Sequence, residues 1–500
     1  MRVLFLNPPS FMGFDGGAGA RYQARREVRS FWYPAWLAYA AGLVKDSLLI
    51  DAPPAGMGIE EVVRAGKGFD MVVIHTSTPT ISNDCAVARR FKEACPGILI
   101  GFVGPHVMVL PRETLESSDA IDFVCTGEFD YTIAEIAAGK DFRQVDGVAY
   151  LADGKNKKFV RTPDRPLIEN LDALPFVTDI YARDLKIENY YDGYLDHPYM
   201  AIYTARGCVA RCAFCLWPHT IGGRAYRMRS PENVYEELCR SKTLFPQVKE
   251  YYFDDDTFTG NPSRAAAIAK MIGPLGLKWS ATARANVPHE TLKVLKENGL
   301  RLLVVGFESG NQGILNNIKK GITVEGARKF VSACKELGVL LHACFIIGLP
   351  GETAQTIEET IRFAKWIDPY SIQVSLAAPY PGTDLYKQAV KEGWLKTDGA
   401  MAGENKCGLP EGTGGGNEAG SGEAGLVKGG IQTAVISYPH LPKEEMFEAV
   451  ERFYRRFYFR PRPVLRILKE MLSDREVFKR RAREGREFLS FMARRKEAAR

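Results

Sequence analysis

Short apolar runs alternate with helical stretches through the first 150 residues. The runs Arg2 to Leu6, Ser47 to Ile50, Met71 to His75, Leu99 to Val103 and Phe123 to Thr126 are expected strands of a doubly wound parallel sheet, Rossmann-like or flavodoxin-like, over residues 1–150. Ligands of such a sheet sit at the carboxyl ends of its strands. Those ends read Asn7-Pro8-Pro9, Asp51-Ala52-Pro53-Pro54, Thr76-Ser77-Thr78-Pro79, Gly104-Pro105-His106 and Gly127-Glu128. Residues 151–199 are irregular and rich in Asp, Pro and Tyr, as a connector would be. The alternation resumes over 200–395, with strands expected at Met200 to Thr204, Glu250 to Phe253, Lys278 to Ala283, Leu302 to Gly306, Leu340 to Ile347 and Ile372 to Leu376. Residues 396–430 are Gly-rich with too few apolar positions to bury, which suggests a flexible surface segment. Residues 431–500 return to helical spacing, with Phe447, Val450, Phe453, Tyr454 and Phe457 on one face.

A chain of 500 residues, 46% hydrophobic, has room for two to four domains with ample cores. It contains no run of about 18 apolar residues that would mark a membrane span. The start, MRVLFLNPPS, reads as a buried strand and lacks the long apolar segment of a signal peptide, so a cytoplasmic protein is expected. Charge adds one feature. The net value is +6, yet between Arg452 and Arg500 17 Lys and Arg stand against 6 Asp and Glu, so the basic character belongs to the tail.

The chemistry concentrates in TARGCVARCAFCLWPHT, where Cys208, Cys212 and Cys215 fall within eight residues. Three thiolates so spaced hold three irons of a 4Fe-4S cluster and leave the fourth iron open to a substrate or cosubstrate. Zinc is the competing reading, but structural zinc wants four ligands, and only His219 is near enough in sequence to complete the set. The other cysteines, Cys85, Cys95, Cys125, Cys239, Cys334, Cys344 and Cys407, are expected as reduced thiols, mostly packed as small hydrophobes.

The CxxxCxxC pattern, with Phe214 before its last cysteine, resembles the signature of the radical S-adenosylmethionine (SAM) superfamily. The resemblance implies a partial (β/α)6 TIM-like barrel over 200–395. It also implies SAM chelated to the open iron and cleaved to methionine and a 5′-deoxyadenosyl radical. Further motifs follow in the family's order. Asp254, Asp255 and Asp256 stand where the family has Gly-Gly-Glu, an acidic end that accepts the SAM amino group; magnesium is the alternative, but the later Asp of a DDxxD motif is missing. Arg284 ends a strand where a guanidinium can fork onto the SAM carboxylate, or else it is a surface arginine. Glu308, Ser309 and Gly310 resemble the SAM-contacting GxESG motif, while Ile346, Gly348 and Pro350 match a strand that lies against adenine. Strand alternation then puts His342 and Cys344 on the face of Ile346, so Cys344 is either a hydrogen donor to a radical or an inert buried thiol. Arg206, Trp217, His219 and Tyr380 are candidate substrate contacts.

The first domain resembles the cobalamin-binding domain that precedes this barrel in one subfamily, with VGPHVMVLP and GEFD as its loops. Gly104, His106, Gly127 and Glu128 are then candidate cobalamin contacts, although His106 is equally readable as a loop histidine with a structural hydrogen bond. The cobalt-ligating DxHxxG motif is absent. The runs NPPSFMGFDGGAGARYQARREVRSFWYPAWLA, CAFCLWPHTIGGRAYRMRS, KEYYFDDDTFT and IQVSLAAPYPGTDLY resemble hopanoid biosynthesis-associated radical SAM proteins. That family implies contraction of the glucosamine ring on a hopanoid to a cyclitol ether, with an external electron donor of the flavodoxin or ferredoxin class. A cobalamin-dependent methylase acting on a lipid carbon is the alternative, and a non-catalytic iron-sulfur or corrinoid carrier the second. Val464, Leu465, Leu468, Met471 and Leu472 trace one helical face among Arg and Lys, which suits either a membrane surface or packing on the barrel. No nucleic-acid partner is expected, since no separate RNA-binding module is visible.

Overall fold

The computed structural model describes residues 1–9, 26–152, 158–395, 427–428, 431–472 and 474–498. The Gly-rich stretch, apart from 427–428, and Cys407 lie outside the described residues.

Seven strands form the first sheet: β1 (Val3–Asn7), β2 (Ser47–Asp51), β3 (Met71–His75), β4 (Leu99–Val103), β5 (Phe123–Cys125), β6 (Val148–Ala152) and β7 (Lys158–Arg161), in the order β2-β1-β3-β4-β5-β6-β7. The first five are parallel. Covered on both faces, β1 and β3 are buried at every position and so read as unbroken apolar runs. The pleat still sorts them, with Leu4, Leu6, Val72 and Ile74 in one core and Val3, Phe5, Met71 and Val73 in the other. Five strands ending by residue 150 were expected, but the antiparallel strands β6 and β7 carry the sheet to Arg161. These marginal strands are only part-buried, so they lack the apolar run that marks the inner ones.

The second of those cores passes through the helix Ala35–Leu43, buried on nearly every side, and continues into the second sheet. There β8 (Tyr199–Ile202), β11 (Glu250–Phe253), β12 (Trp279–Ala283), β13 (Leu300–Glu308), β14 (Leu340–Ile347) and β15 (Ser371–Leu376) run parallel in the order β15-β14-β13-β12-β11-β8. A ribbon of β9 (Ala205–Arg206) and β10 (Arg227–Met228) flanks the loop after β8. The six strands curl into a half-barrel that leaves β8 and β15 as edges.

The gap between those edges is filled from both ends of the chain. Tyr33 stacks on Tyr190 at 4.1 Å and donates its hydroxyl to Tyr199 O at 2.7 Å, while Phe31 N–H donates to Tyr191 O at 2.8 Å. On the other side, three outward amides of β15 find side-chain acceptors. Ile372 N–H donates to the Tyr458 hydroxyl (3.1 Å), Val374 N–H to the Tyr454 hydroxyl (2.9 Å) and Leu376 N–H to Gln432 Oε1 (2.8 Å). The tyrosines project from the helix Lys443–Tyr458, whose apolar face is buried at Val450, Phe453, Tyr454 and Phe457. The helical C-terminal region therefore closes an edge that would otherwise offer unpaired backbone to another strand. Beyond it, the helices Pro461–Met471 and Arg475–Ala498 carry the basic tail.

Candidate active site

The cysteine loop follows β8 directly, and the acidic run after β11 braces it. The Tyr203 hydroxyl donates to Asp254 Oδ2 (3.2 Å) and Gly207 N–H to Asp256 Oδ2 (3.0 Å). Asp255 takes Thr204 N–H (2.5 Å) and Ala205 N–H (3.0 Å) on one oxygen and the Thr204 hydroxyl (2.6 Å) on the other. With both oxygens so engaged, Asp255 does not face the SAM amino group as expected; it holds the backbone that presents the cysteines. Gly207 adopts φ +88°, and a Cβ there would lie 2.2 Å from Ala225 O, so only glycine allows this close approach.

Cys208 and Cys212 are buried, Cys215 is part-buried, and all three are free thiols. Burial pushes Cys208 and Cys215 up, and each feels Cys212 as a further charge, so the three stand in one group. Among the described residues no three His, Cys, Asp or Glu side chains converge as a single ion requires. A cluster asks for something different, because its thiolates bind separate irons and stand apart. His219 does not supply a fourth ligand: Nδ1 donates to Cys215 O at 2.7 Å, and Nε2 pairs with Arg224 Nη2 at 2.9 Å. The donor set therefore fits a three-cysteine 4Fe-4S cluster and not zinc.

Around the cluster loop, Glu308 at the end of β13 is buried at φ +63° and takes Lys320 Nζ at 2.7 Å on Oε1. Lys320 is itself buried and feels Cys212 and Arg284 as well as Glu308. Arg284 donates to the Lys320 carbonyl and lies within electrostatic range of Cys208. Glu308 for an ammonium, with Arg284 and Lys320 for a carboxylate, is a set that fits the amino-acid end of SAM. Lys320 was missed in the sequence because KK before a glycine reads as an ordinary solvated pair. Ser309 has another task, pairing its hydroxyl with Thr360 Oγ1 at 3.0 Å to tie the strand end to the helix Ala354–Ile367. Gly348, at φ +90°, donates its N–H to Glu352, so it shapes the turn after β14. Ile346 and Cys344 are part-exposed although β14 lies inside the sheet, which opens them to the concave face. Burial pushes the Cys344 thiol up to about 12, and Glu308, Arg26, Lys320 and Asp192 all act on it.

The carboxyl ends of the first sheet meet this mouth. Glu128 accepts Arg227 Nη1 and Nη2 (2.8 Å each) and Arg206 Nη1 (3.2 Å), and Arg206 also forks onto Asp130 at 2.9 Å. Arg206 stacks over Trp36 and Tyr39 besides. Glu128 is thus an interdomain clamp rather than the expected cobalamin contact, and Arg206 is its partner rather than a substrate contact. Trp217 is likewise taken up in the interface, stacked on Trp36. His106 is buried and neutral, held down to about 4 by burial, with Nδ1 at 3.1 Å from Thr78 Oγ1. Gly104 has φ +113°, and a Cβ there would sit 2.4 Å from Thr76 O and 3.1 Å from the His75 ring. Both ring nitrogens of buried His75, and Thr126 Oγ1, lack hydrogen-bond partners. Nothing lies within 4 Å of where a Gly127 Cβ would be. Unpaired polar atoms beneath an open strand-end loop fit a large polar cofactor such as cobalamin.

Comparison with known proteins agrees. Residues 24–137 match the B12 binding domain and 202–364 the radical SAM superfamily. An uncharacterized methyltransferase of Pyrococcus horikoshii is 33% identical over 411 residues, covering 79% of this chain and 85% of the relative. Two solved structures share the fold. The methyltransferase TsrM from Kitasatospora setae with cobalamin and a [4Fe-4S] cluster bound has TM-score 0.59 at 16% identity, covering 80% of each chain. The cobalamin-dependent SAM radical enzyme OxsB with aqua-cobalamin and SAM bound has TM-score 0.66 at 14% identity, covering 100% of this chain and 72% of that one. The cysteine loop, the SAM-type pocket and the paired domains thus place the chain in the cobalamin-binding radical SAM family, as an enzyme whose cofactors are a 4Fe-4S cluster, SAM and cobalamin.

Proposed function

We propose that this protein is a cobalamin-dependent radical SAM methyltransferase that acts on a carbon of a lipid. The observation that carries this reading is the facing of the two sheets' carboxyl ends, joined by the Glu128–Arg206 clamp and by the close approach of Val109 to Gly382. A relative named as a methyltransferase aligns over 79% of this chain, and a solved methyltransferase of the same fold holds both cobalamin and a [4Fe-4S] cluster. When bound, the cluster and SAM supply a carbon-centred radical and cobalamin supplies a transferable methyl group. The chain's own residues hold the SAM amino acid between Glu308, Lys320 and Arg284 and shield the concave face from water. No helix among the described residues is long and apolar enough to cross a membrane. A lipid would instead be met at the C-terminal helices. Seven of the sixteen exposed large hydrophobics among the described residues lie between Phe459 and Leu489, with Leu465 63% and Leu472 86% exposed. Exposed Arg462, Lys469, Arg475 and Lys479 flank them, a pattern suited to an anionic bilayer surface.

A second reading, contraction of a hopanoid glucosamine to a cyclitol ether, is favoured by the resemblance of the sequence runs named above to hopanoid-associated proteins and by Cys344. Substrate and product are isomers, so the last substrate radical needs one hydrogen atom returned. A protonated Cys344 thiol on the concave face would give it, and the thiyl radical left behind would return to the thiol by taking one electron from the external donor and one proton from solvent. Incubation of the anaerobic holoenzyme with SAM, a reductant and bacteriohopanetetrol glucosamine separates the two readings by mass spectrometry. A gain of one methyl group with S-adenosylhomocysteine supports the first. Unchanged mass at a shifted retention time, with 5′-deoxyadenosine, supports the second.

A further inference from the structure

The turn that ends β14, Gly348 to Glu352, is held by groups from distant parts of the chain. Gly348 is buried at φ +90°, and both of its backbone groups are taken: its N–H donates to Glu352, and its carbonyl accepts the Tyr438 hydroxyl at 3.0 Å. Further along, Pro350 O accepts Asn317 Nδ2 at 2.9 Å, and Glu352 O lies 3.0 Å from His440 Nε2. The Asn317 side leads to the cluster loop, because Ile318 O accepts Ala213 N–H at 2.9 Å beside Cys212, and Lys320 of the same segment pairs with Glu308. The turn is thus braced on one side by the segment that carries Lys320 and on the other by Tyr438 and His440.

Tyr438 is itself held in place. It is 3% exposed, its ring meets Trp394 edge-on at 4.9 Å and stacks on His440 at 5.6 Å, and its backbone exchanges bonds with Leu441 at 3.1 and 3.2 Å. Behind the turn, Met446 Sδ lies 2.7 Å from where a Gly348 Cβ would be. Burial, and after it Glu352, pushes the Tyr438 phenol up, so the hydroxyl stays a donor. Without that donor the buried Gly348 carbonyl would be left unsatisfied. Tyr438 lies outside residues 202–364, the part matched to the radical SAM superfamily.

The place of the turn gives it a task. Arg284 at the end of β12 and Lys320 serve the SAM carboxylate, and Glu308 at the end of β13 serves the ammonium. The strand on the other side of β13 is β14, paired through Glu308 and Phe345, and its Ile346 is open to the concave face. We propose that Tyr438 is a positioning residue for the SAM nucleoside, acting through Gly348 and the end of β14, so that the C-terminal region completes a site begun by the barrel. The inference rests on the reading that the nucleoside lies along β14.

The test compares SAM with methionine, each binding by equilibrium dialysis to the anaerobic holoprotein without reductant. Methionine offers the amino and carboxylate groups but no nucleoside. Tyr438→Phe keeps the ring and removes the hydroxyl; it is expected to weaken SAM about fivefold and to leave methionine unchanged. A general loosening of the fold would weaken both. Equal losses for the two ligands, or no loss for either, overturns the role of Tyr438. Ile346→Ala tests the seat separately and should weaken SAM alone. If it does and Tyr438→Phe does not, only the inference falls; if it does not, the nucleoside lies elsewhere and the inference falls with that reading. Should Tyr438→Phe lose its cluster absorbance, the native chain decides. There SAM, but not methionine, is expected to slow amide exchange at Ser437 to Leu441, and equal exchange with the two ligands overturns the proposal.

Discussion

Three consecutive carboxylates divide one task at the cluster loop. Asp254 takes the Tyr203 hydroxyl, while Asp255 meets the Thr204 and Ala205 amides and Asp256 the Gly207 amide, so the last two acids pin successive steps of the backbone leading to Cys208. Asp255→Asn keeps the shape but turns a donor toward groups that already donate. It should cost about 2 kcal/mol and lower the iron bound per chain after reconstitution, measured by thermal unfolding and iron assay. A second residue-scale effect is electrostatic. Burial pushes Glu352 up to about 8 from its ordinary 4.5, so the fold holds a proton that the unfolded chain releases across that window. Its stabilising contribution is therefore full below about pH 4.5 and is lost as pH rises toward 8. Glu352→Gln should flatten this slope, by up to about 1.4 kcal/mol per pH unit, in unfolding curves taken between pH 5 and 8. At this scale the cysteines were legible from spacing alone. The roles of Asp255 and Glu128 were not, because a carboxylate's sequence neighbours do not say which distant donors the fold will bring to it.

Among the elements, the edge strand β15 depends on hydroxyls supplied by a helix about 80 residues further on. Tyr458→Phe should cost about 1 kcal/mol in urea unfolding and speed hydrogen exchange at Ile372, with little change at the inner strand β13. The inner strands were readable because burial on two faces writes an apolar run. The β6 and β7 strands and the edge-capping role of the C-terminal helix were not, since half-wet strands and single hydroxyls leave no such run. The helix Pro461–Met471 shows the converse case. Its apolar face was evident in sequence, but only the structure turns Leu465 and Leu468 outward. Leu465→Glu with Leu468→Glu should reduce sedimentation with phosphatidylglycerol-containing vesicles at least about fivefold relative to the native chain. Equal sedimentation would remove the membrane reading.

For the whole molecule, the buried group of Glu128, Asp130, Arg206 and Arg227 joins the two sheets at their functional ends. Glu128→Gln leaves Arg227 without its carboxylate and should cost about 3 kcal/mol, with loss of cobalamin retention on gel filtration before loss of cluster content. By itself the sequence determined the inner strands, the cysteine loop and the presence of two domains, since each is encoded by residues close together in the chain. The first sheet's extension to Arg161, the reassignment of Asp255 and Glu128, and the gathering of Arg26, Asp192, Glu308 and Lys320 around Cys344 were decided by the tertiary structure. Those groups come from segments as much as 318 residues apart, and the chemistry of a buried polar side chain depends on partners that only the closed fold brings within hydrogen-bond reach.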